Sequence, residues 1–229
     1  MRLIAHRGGR GFGTDNSLEA MEKAARAGVR VIETDVRSTA DGRLVICHDG
    51  TVWGHIVGRT TYAELQKHSP ERPLLRDVLE RLAGWVSFNI EIKEAPAREV
   101  AAALDLYGIA LDTVVTSFDW DIIEEYGKTC PGALTGHLYR MPYGWDKKLH
   151  RTLDVGGGII APYFNSIDRG LVEKAHGLGL TVYAWTVNDP HDFRKLHAWG
   201  VDAIITDRYL DMKEVLAGLE SAPQPAQSV

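Results

Sequence analysis

The stretch Val31–Gly50, VIETDVRSTADGRLVICHDG, decides how the rest of the chain is read. Its first run, VIETDV, begins as an apolar strand and then places Glu33 and Asp35 two residues apart. Successive strand side chains point to opposite faces, so both carboxylates point the same way. Like charges at that spacing repel, and burying them without a partner is costly. The second run, RLVICH, follows after only RSTADGR, which is too short for a parallel crossover and carries Asp41-Gly42, a hairpin turn signal. The two runs therefore pair antiparallel. With Asp41-Gly42 as a two-residue turn, Ala40 pairs with Arg43 and His48 falls opposite Asp35; a bulge at Gly42 shifts this register by one residue. Opposed residues share a face, so Glu33, Asp35 and His48 are predicted to converge.

Outward from this hairpin, short runs rich in Val and Ile alternate with longer segments of helical period. The other strand candidates are RLIAH, VSFNIEIK, TVVTSF, ALTGHLY, GGIIAPYF, LTVYAWTV and AIITD. Helices are predicted in SLEAMEKAARAG, LLRDVLERLAG, AREVAAALDLYG, DWDIIEEYGK, DRGLVEKAHGLG, PHDFRKLHAWG and LDMKEVLAGLE. Gly28, Gly84, Gly108, Gly179 and Gly200 stand where helix C-caps are expected. Setting the hairpin aside as an excursion leaves eight strands mostly separated by helices, the pattern of a (β/α)₈ TIM barrel; an open doubly wound sheet gives a similar pattern. The reading is an α/β barrel with a β-hairpin excursion after the second strand and a minimal insertion. One domain covers residues 1–219, and the small, polar tail 220–229 is expected to be disordered.

Composition narrows the class. The 229 residues are 45% hydrophobic, within the range that single α/β barrels occupy. A net charge of -5 with interspersed signs leaves no basic footprint for nucleic acid. Cys47 and Cys130 form no CxxC or CxxH pattern and read as free thiols of a reducing compartment. The start, MRLIAHRGG, has too short an apolar run for a signal peptide, and no run of about 18 apolar residues exists to span a membrane. The expectation is a soluble, cytoplasmic protein without stable membrane association; its oligomeric state is left open.

Barrel active sites sit at the C-terminal ends of the strands. The first strand ends in His6 and Arg7 and runs into the glycine-rich GGRGFGTDNS, while FNIEIK carries Glu91 and Lys93 on one face. Three carboxylates from two strands, Glu33, Asp35 and Glu91, suit one hard divalent cation, Mg²⁺ or Ca²⁺, with Mn²⁺ a third candidate. His6 and His48 beside it suit a general acid and base, and Arg7 and Lys93 suit an anionic centre such as a phosphodiester. None of these groups is specific alone. A strand-end His is commonly structural, an ExD pair is commonly salt-bridged, and the glycine loop fails both GxGxxG and Walker spacing. HExxH, HxH and GxSxG are absent, which counts against zinc proteases, amidohydrolase-type sites and serine hydrolases. The combination carries the signal.

Taken in order, HRGG, DNSLEAMEKAARAGVRVIETDVRSTADGRLVICHDG, NIEIK, WTVND and GVDAIITD resemble the glycerophosphodiester phosphodiesterase family from His6 to about Asp207. The resemblance implies a (β/α)₈ barrel that uses a divalent metal to hydrolyse a small-molecule glycerophosphodiester to sn-glycerol 3-phosphate and an alcohol. It implies His6 and His48 as the catalytic acid/base pair, Glu33, Asp35 and Glu91 as metal ligands, and Arg7 and Lys93 as phosphate contacts. The substrate's own glycerol 2-hydroxyl is then a candidate nucleophile. The family's Glu-Asn-Thr element appears as Asp15-Asn16-Ser17, a good cap for the following helix, with Asn16 placed to organise the loop around His6. Trp185 is expected to pack beside the glycerol moiety. The segment after the HD pair, GTVWGHIVGRTTYAELQKHSPERPLL, is compressed; Trp53 and His55 are candidates there to line the pocket. Two alternatives stand beside this reading. One is a lysophospholipase D-like or sphingomyelinase D-like phosphodiesterase with an exposed apolar rim, and the other is a catalytically silent ligand-binding barrel.

Overall fold

A computed structural model describes residues 1–221. In chain order the strands are β1 (Arg2–Ala5), β2 (Val31–Ser38), β3 (Leu44–Ile46), β4 (Thr51–Val52), β5 (His55–Ile56), β6 (Ser87–Glu94), β7 (Val114–Ser117), β8 (Thr135–Tyr139), β9 (Ile159–Pro162), β10 (Thr181–Ala184) and β11 (Ala203–Thr206). The helices are α1 (Leu18–Arg26), α2 (Tyr62–His68), α3 (Leu75–Leu82), α4 (Ala97–Leu106), α5 (Trp120–Thr129), α6 (Trp145–Asp154), α7 (Arg169–Gly177), α8 (Pro190–Ala198) and α9 (Tyr209–Ser221). All nine strands expected from the sequence form. Helices α2 and α6 were not anticipated: α2 is a short seven-residue helix, and α6 buries only Leu149 and Thr152 on a heavily charged sequence. The five predicted cap glycines all take positive φ. Helix α9 runs through Ser221, past the boundary drawn at 219, and the rest of the expected tail, 222–229, lies outside the described residues.

Ring closure separates a barrel from an open sheet. Strand β1 pairs in parallel with β11 along its whole length and meets β2 where Ala5 faces Ile32. The remaining parallel pairs complete eight strands in a circle. Alternation along each strand divides the side chains between two cores. Outward-facing Ile32, Val36, Phe88, Ile90 and Ile92 pack with Met21, Leu79, Val100 and Leu104 of the helices. Inward-facing Ile4, Val114, Leu138, Ile159, Tyr183 and Ile205 fill the barrel. Burying such side chains contributes about 1.5–3 kcal/mol each, so the closed ring with its helical sheath carries the stability.

Because β1 stops at Ala5, the upper edge of β2 is free, and β3 pairs there antiparallel. Val36 faces Ile46, Arg37 faces Val45 and Ser38 faces Leu44, one residue away from the expected register. The turn is the reason. Thr39 N–H donates to Arg43 O at 3.0 Å and Gly42 N–H to Thr39 O at 2.9 Å, so three residues, Ala40 to Gly42, form the loop with Gly42 at φ +72°. This is the bulged three-residue hairpin, not the two-residue turn. Cys47, rather than His48, donates to Asp35 O. His48 reaches the barrel mouth after the strand has ended, where the Arg37 guanidinium holds its carbonyl through Nε and Nη2 at 3.1 and 2.9 Å.

The first loop is packed more tightly. After β1 the chain makes a short 3-10 turn over His6–Gly8 and leaves through Gly9 at φ +85°, where an added Cβ would lie 2.7 Å from the Ala24 Cβ on α1. At Gly42 nothing lies within 4 Å of such an atom. Gly42→Ala is therefore expected to lose only the backbone preference, roughly 1–2 kcal/mol. Gly9→Ala adds overpacking and should lose about 2–4 kcal/mol in total. Urea unfolding of both variants checks this; equal losses would contradict the account of the first loop.

Candidate active site

The hairpin, the first loop and β6 meet at the C-terminal mouth of the barrel. Strands β2 and β6 pair with Glu33 beside Asn89 and Asp35 beside Glu91, so one register sets three acids on the inner wall. Oxygens of Glu33, Asp35 and Glu91 lie within 4.8 Å of one another, and all three residues are buried, Asp35 to 1% exposure. Burial first, then the charge of Asp35, pushes Glu33 well above the usual carboxylate range, although the Arg7 N–H opposes the shift. Burial and Asp35 likewise raise Glu91 to about 7 against the pull of Lys93.

Several features hold this cluster. Lys93 Nζ stands 2.7 Å from Glu91 Oε1 and 3.3 Å from Asp35 Oδ1. The β2–β6 register slips between Val36 and Arg37, passing from Ile92 to Glu94, so Lys93 is an extra residue in the ladder. Such a bulge re-aims a side chain beside a site. Arg7 adopts φ 48°, ψ 51°, a left-handed conformation uncommon outside glycine, and thereby donates its N–H to Glu33 Oε2 at 2.8 Å. Asn16 donates to Asp35 Oδ2 at 2.9 Å, accepts from Thr34 Oγ1 at 2.7 Å and gives its N–H to Arg7 O at 2.7 Å. It joins the first loop to β2, the role expected of it, while Ser17 caps α1 through the Ala20 N–H. The donor set, three clustered carboxylates with one ammonium against them, fits a hard divalent cation.

His6 stands on the other side, with Nε2 3.9 Å from Glu33 Oε2. Its Nδ1 is 2.6 Å from Asp207 Oδ1. Asp207 also accepts from Asn188 Nδ2 at 2.6 Å, while its own N–H donates to Asn188 Oδ1. Burial alone would raise the Asp207 carboxyl, but the hydrogen bonds from His6 and Asn188 outweigh it and hold it below its ordinary range. The ionised acid accepts the His6 Nδ1–H, which leaves Nε2 turned toward Glu33. Residue-type reasoning passed over Asp207. The signal was the period of two in AIITD, where Ala203 and Ile205 face inward and Asp207 follows them. His48 Nδ1 meets Asp49 Oδ1 at 2.7 Å, and burial holds this imidazole below its ordinary value despite the attraction of Asp35.

These groups open onto a cavity of about 260 Å³ lined by His6, Arg7, Glu33, His48, Glu91 and Lys93 on one side. Phe118, Leu138, Arg140 and Trp185 line the other, and Asp35 is buried beside Glu91 in the strand register. Trp185 is fixed by its indole N–H on Ala161 O at 2.7 Å and lies edge-on to Phe118 and Tyr163. The structure thus gathers His6, Arg7, Glu33, Asp35, His48, Glu91, Lys93 and Trp185 around one mouth. It does not bring Trp53 or His55 there. Trp53 is 78% exposed at the β4–β5 turn and His55 stacks on His68, because the compressed segment folds over its own small core of Val45, Cys47, Val52, Val57, Leu65 and Leu74.

Comparison with known proteins places this constellation. Residues 6–210 match the model of the glycerophosphoryl diester phosphodiesterase family. A glycerophosphodiester phosphodiesterase of Caldanaerobacter subterraneus subsp. tengcongensis is 31% identical, over 90% of this chain and 93% of its own. The crystal structure of a glycerophosphodiester phosphodiesterase from Parabacteroides distasonis superposes with a TM-score of 0.85 at 25% identity, covering 96% of this chain and 98% of that one. An Oleispira antarctica phosphodiesterase, solved with its product sn-glycerol-3-phosphate, shares the fold with a TM-score of 0.82 at 23% identity over 95% and 97% of the two chains. With nearly the whole barrel and its mouth inside the match, the chain belongs to the glycerophosphoryl diester phosphodiesterase family of phosphoric diester hydrolases.

Proposed function

We propose that the protein hydrolyses glycerophosphodiesters to sn-glycerol 3-phosphate and an alcohol in a divalent-cation-dependent reaction. The observation that carries this reading is the convergence of the Glu33–Asp35–Glu91 cluster, two histidines and two cations on one cavity. Glu33, Asp35 and Glu91 hold the cation, Mg²⁺ or Ca²⁺ with Mn²⁺ as a third choice, and when bound it supplies Lewis-acid stabilisation of charge on the phosphoryl oxygens. Arg7 and Lys93 hold the phosphate, a fork and a point charge aimed at the same anion. One of His6 and His48 removes the proton of the attacking glycerol 2-hydroxyl, and the other protonates the departing alcohol oxygen as its bond to phosphorus breaks. Water then opens the resulting cyclic phosphate to sn-glycerol 3-phosphate. Asp207 orients His6 and stabilises its protonated form, as a buried carboxylate does behind a catalytic imidazole. Trp185 forms a rigid wall for the substrate's carbon skeleton. A reducing cytoplasm suits the two free thiols, Cys47 and Cys130. No described helix is long and apolar enough to cross a membrane.

One observation favours a second reading, lysophospholipid cleavage in the manner of a lysophospholipase D. Met141 and Tyr143 are exposed on the loop that leaves the C-terminal end of β8. Such side chains could cover an acyl chain while the same mouth cuts the diester. Turnover of choline lysolipids without turnover of any water-soluble glycerophosphodiester would select this second reading.

His6→Ala and His48→Ala are each expected to lower turnover at least about a hundredfold, the usual scale of acid–base catalysis. Asp207→Asn should lose less than His6→Ala and should shift the pH–rate profile. Release of glycerol 3-phosphate from a glycerophosphodiester panel with Mg²⁺, Ca²⁺ or Mn²⁺ measures all three, and near-wild-type rates in either His variant contradict the acid/base assignment.

Stability tests the cation independently. Glu33 and Glu91 keep protons in the folded state that the unfolded chain releases. The contribution of these two acids to the stability of the cation-free protein should therefore be fully present below the ordinary carboxylate range and be lost as pH rises toward about 7. A bound cation favours the ionised acids and removes that loss. The gain in Tm on replacing chelator with cation should be small near pH 5 and large near pH 8; an equal gain at both, or none, counts against the assignment.

A further inference from the structure

We propose that Arg140 sets the specificity of this site, selecting glycerophosphodiesters whose alcohol arm carries a second negative charge. This rests on the proposed diesterase reading and says which alcohol the enzyme takes. The cavity has two unlike halves. The half built from β1, β2 and β6 carries the acids, the histidines, Arg7 and Lys93. The half built from β7, β8, β10 and β11 is Phe118, Leu138, Trp185, Thr186 and Ile205, with Arg140 its one charged residue. Arg140 reaches the mouth by the alternation that places Leu138 in the barrel interior: two residues beyond Leu138, just past the end of β8, the next inward position is Arg140.

Its guanidinium lies 4.8 Å from the centre of the Phe118 ring, and Lys93 Nζ lies 5.7 Å from the same centre. Arg140 is exposed at the mouth and, among the described residues, forms no ion pair, whereas Lys93 on the same ring is paired with two acids. Asp119, beside Phe118 in sequence, accepts the Asp121 N–H at the N-terminus of α5, and Asp146, the acid nearest Arg140 in sequence, pairs with Lys174. Glu91 and Asp35 are already held by Lys93. A guanidinium seated on an aromatic ring, lining a substrate cavity and facing no carboxylate, is set to meet an anion from outside the chain.

The substrate's own chemistry locates that anion. Every glycerophosphodiester shares the glycerol and the central phosphate, whose charge is answered by Arg7 and Lys93. Only the alcohol arm varies, so a further unpaired cation on the opposite wall discriminates among alcohols. A phosphate or carboxylate on that arm gains a forked, charge-assisted contact. A trimethylammonium or ammonium arm meets a like charge, and the Phe118 ring that could have received it by a cation–π contact already carries Arg140.

The test compares kcat/KM of wild type, Arg140→Gln and Arg140→Glu on four diesters: glycerophosphoglycerol as the neutral arm, bis(glycerophospho)glycerol as the phosphate arm, the glycerate diester as the carboxylate arm, and glycerophosphocholine as the cationic arm. Wild type is expected to favour at least one anionic arm over the neutral one by about tenfold, the range of one charge-assisted hydrogen-bonded contact, and to disfavour choline. Arg140→Gln should bring the anionic-to-neutral ratio close to one, and Arg140→Glu should reverse it. Which anionic arm responds separates phosphate from carboxylate as the anion. Loss of all four activities by the same factor in Arg140→Gln would assign the side chain to the shared phosphate and overturn the inference, as would a wild-type preference for choline. Absence of turnover on every diester by wild type would instead overturn the diesterase reading on which the inference rests.

Discussion

Three carboxylates buried within reach of one another, with a single lysine against them, are the constraint on which the rest of this structure depends. Hydrophobic side chains at Glu33, Asp35 and Glu91 would make a more stable barrel mouth, because buried like charges repel and burial penalises each one. The surroundings are built to tolerate the arrangement. Arg7 takes a left-handed backbone conformation to turn its N–H onto Glu33, Asn16 spends its amide on Asp35, and β6 bulges at Lys93 to swing an ammonium between two acids. Each is a local departure from ideal geometry at the same place, where functional sites are expected to break the rules that hold elsewhere. Even so, burial leaves Glu33 and Glu91 displaced upward, a charge deficit that a divalent cation would remove.

The barrel divides labour around that constraint. Its short first strand leaves the top of β2 free, and the hairpin that takes this edge carries His48 to the mouth. The last strand returns beside the first and brings Asp207 behind His6. Chemistry is thus concentrated where β11, β1, β2 and β6 adjoin. The facing strands supply an aromatic wall of Phe118, Tyr163 and Trp185 and the lone cation Arg140. A reaction common to a family and a preference particular to one member can then vary separately, since they stand on different strands.

Much of this was legible in the sequence, and the failures have identifiable causes. Barrel strands announce themselves as Val- and Ile-rich runs because both faces are buried, and the two-residue repeat of ETD and EIK fixes which acids share a face. His48 was found for a reason only partly right. The sequence pattern admitted both a two-residue turn and a bulged one; the Thr39 side chain, which accepts the Arg43 N–H and donates to Asp41, favours the bulged form, so a turn after β3 rather than strand register delivers the imidazole. Trp53 and His55 were weighed by residue type, but the short segment holding them packs on its own apolar cluster instead of over the mouth. Asp207 and Arg140 lay within reach of the same alternation rule that found the acids. Counting inward positions from Ile205 and Leu138 arrives at both, whereas looking for familiar catalytic pairs does not.

The most direct test of the central claim is a crystal soaked in Mn²⁺ and measured at a wavelength where manganese scatters anomalously. The account predicts an anomalous peak bounded by Glu33, Asp35 and Glu91, at roughly 2.0–2.6 Å from an oxygen of each, as hard cations bind carboxylates. Its occupancy should fall in Glu33→Gln, Asp35→Asn and Glu91→Gln crystals. A fully active enzyme whose crystals show no peak among these three residues, or show the ion bound only elsewhere, would contradict it.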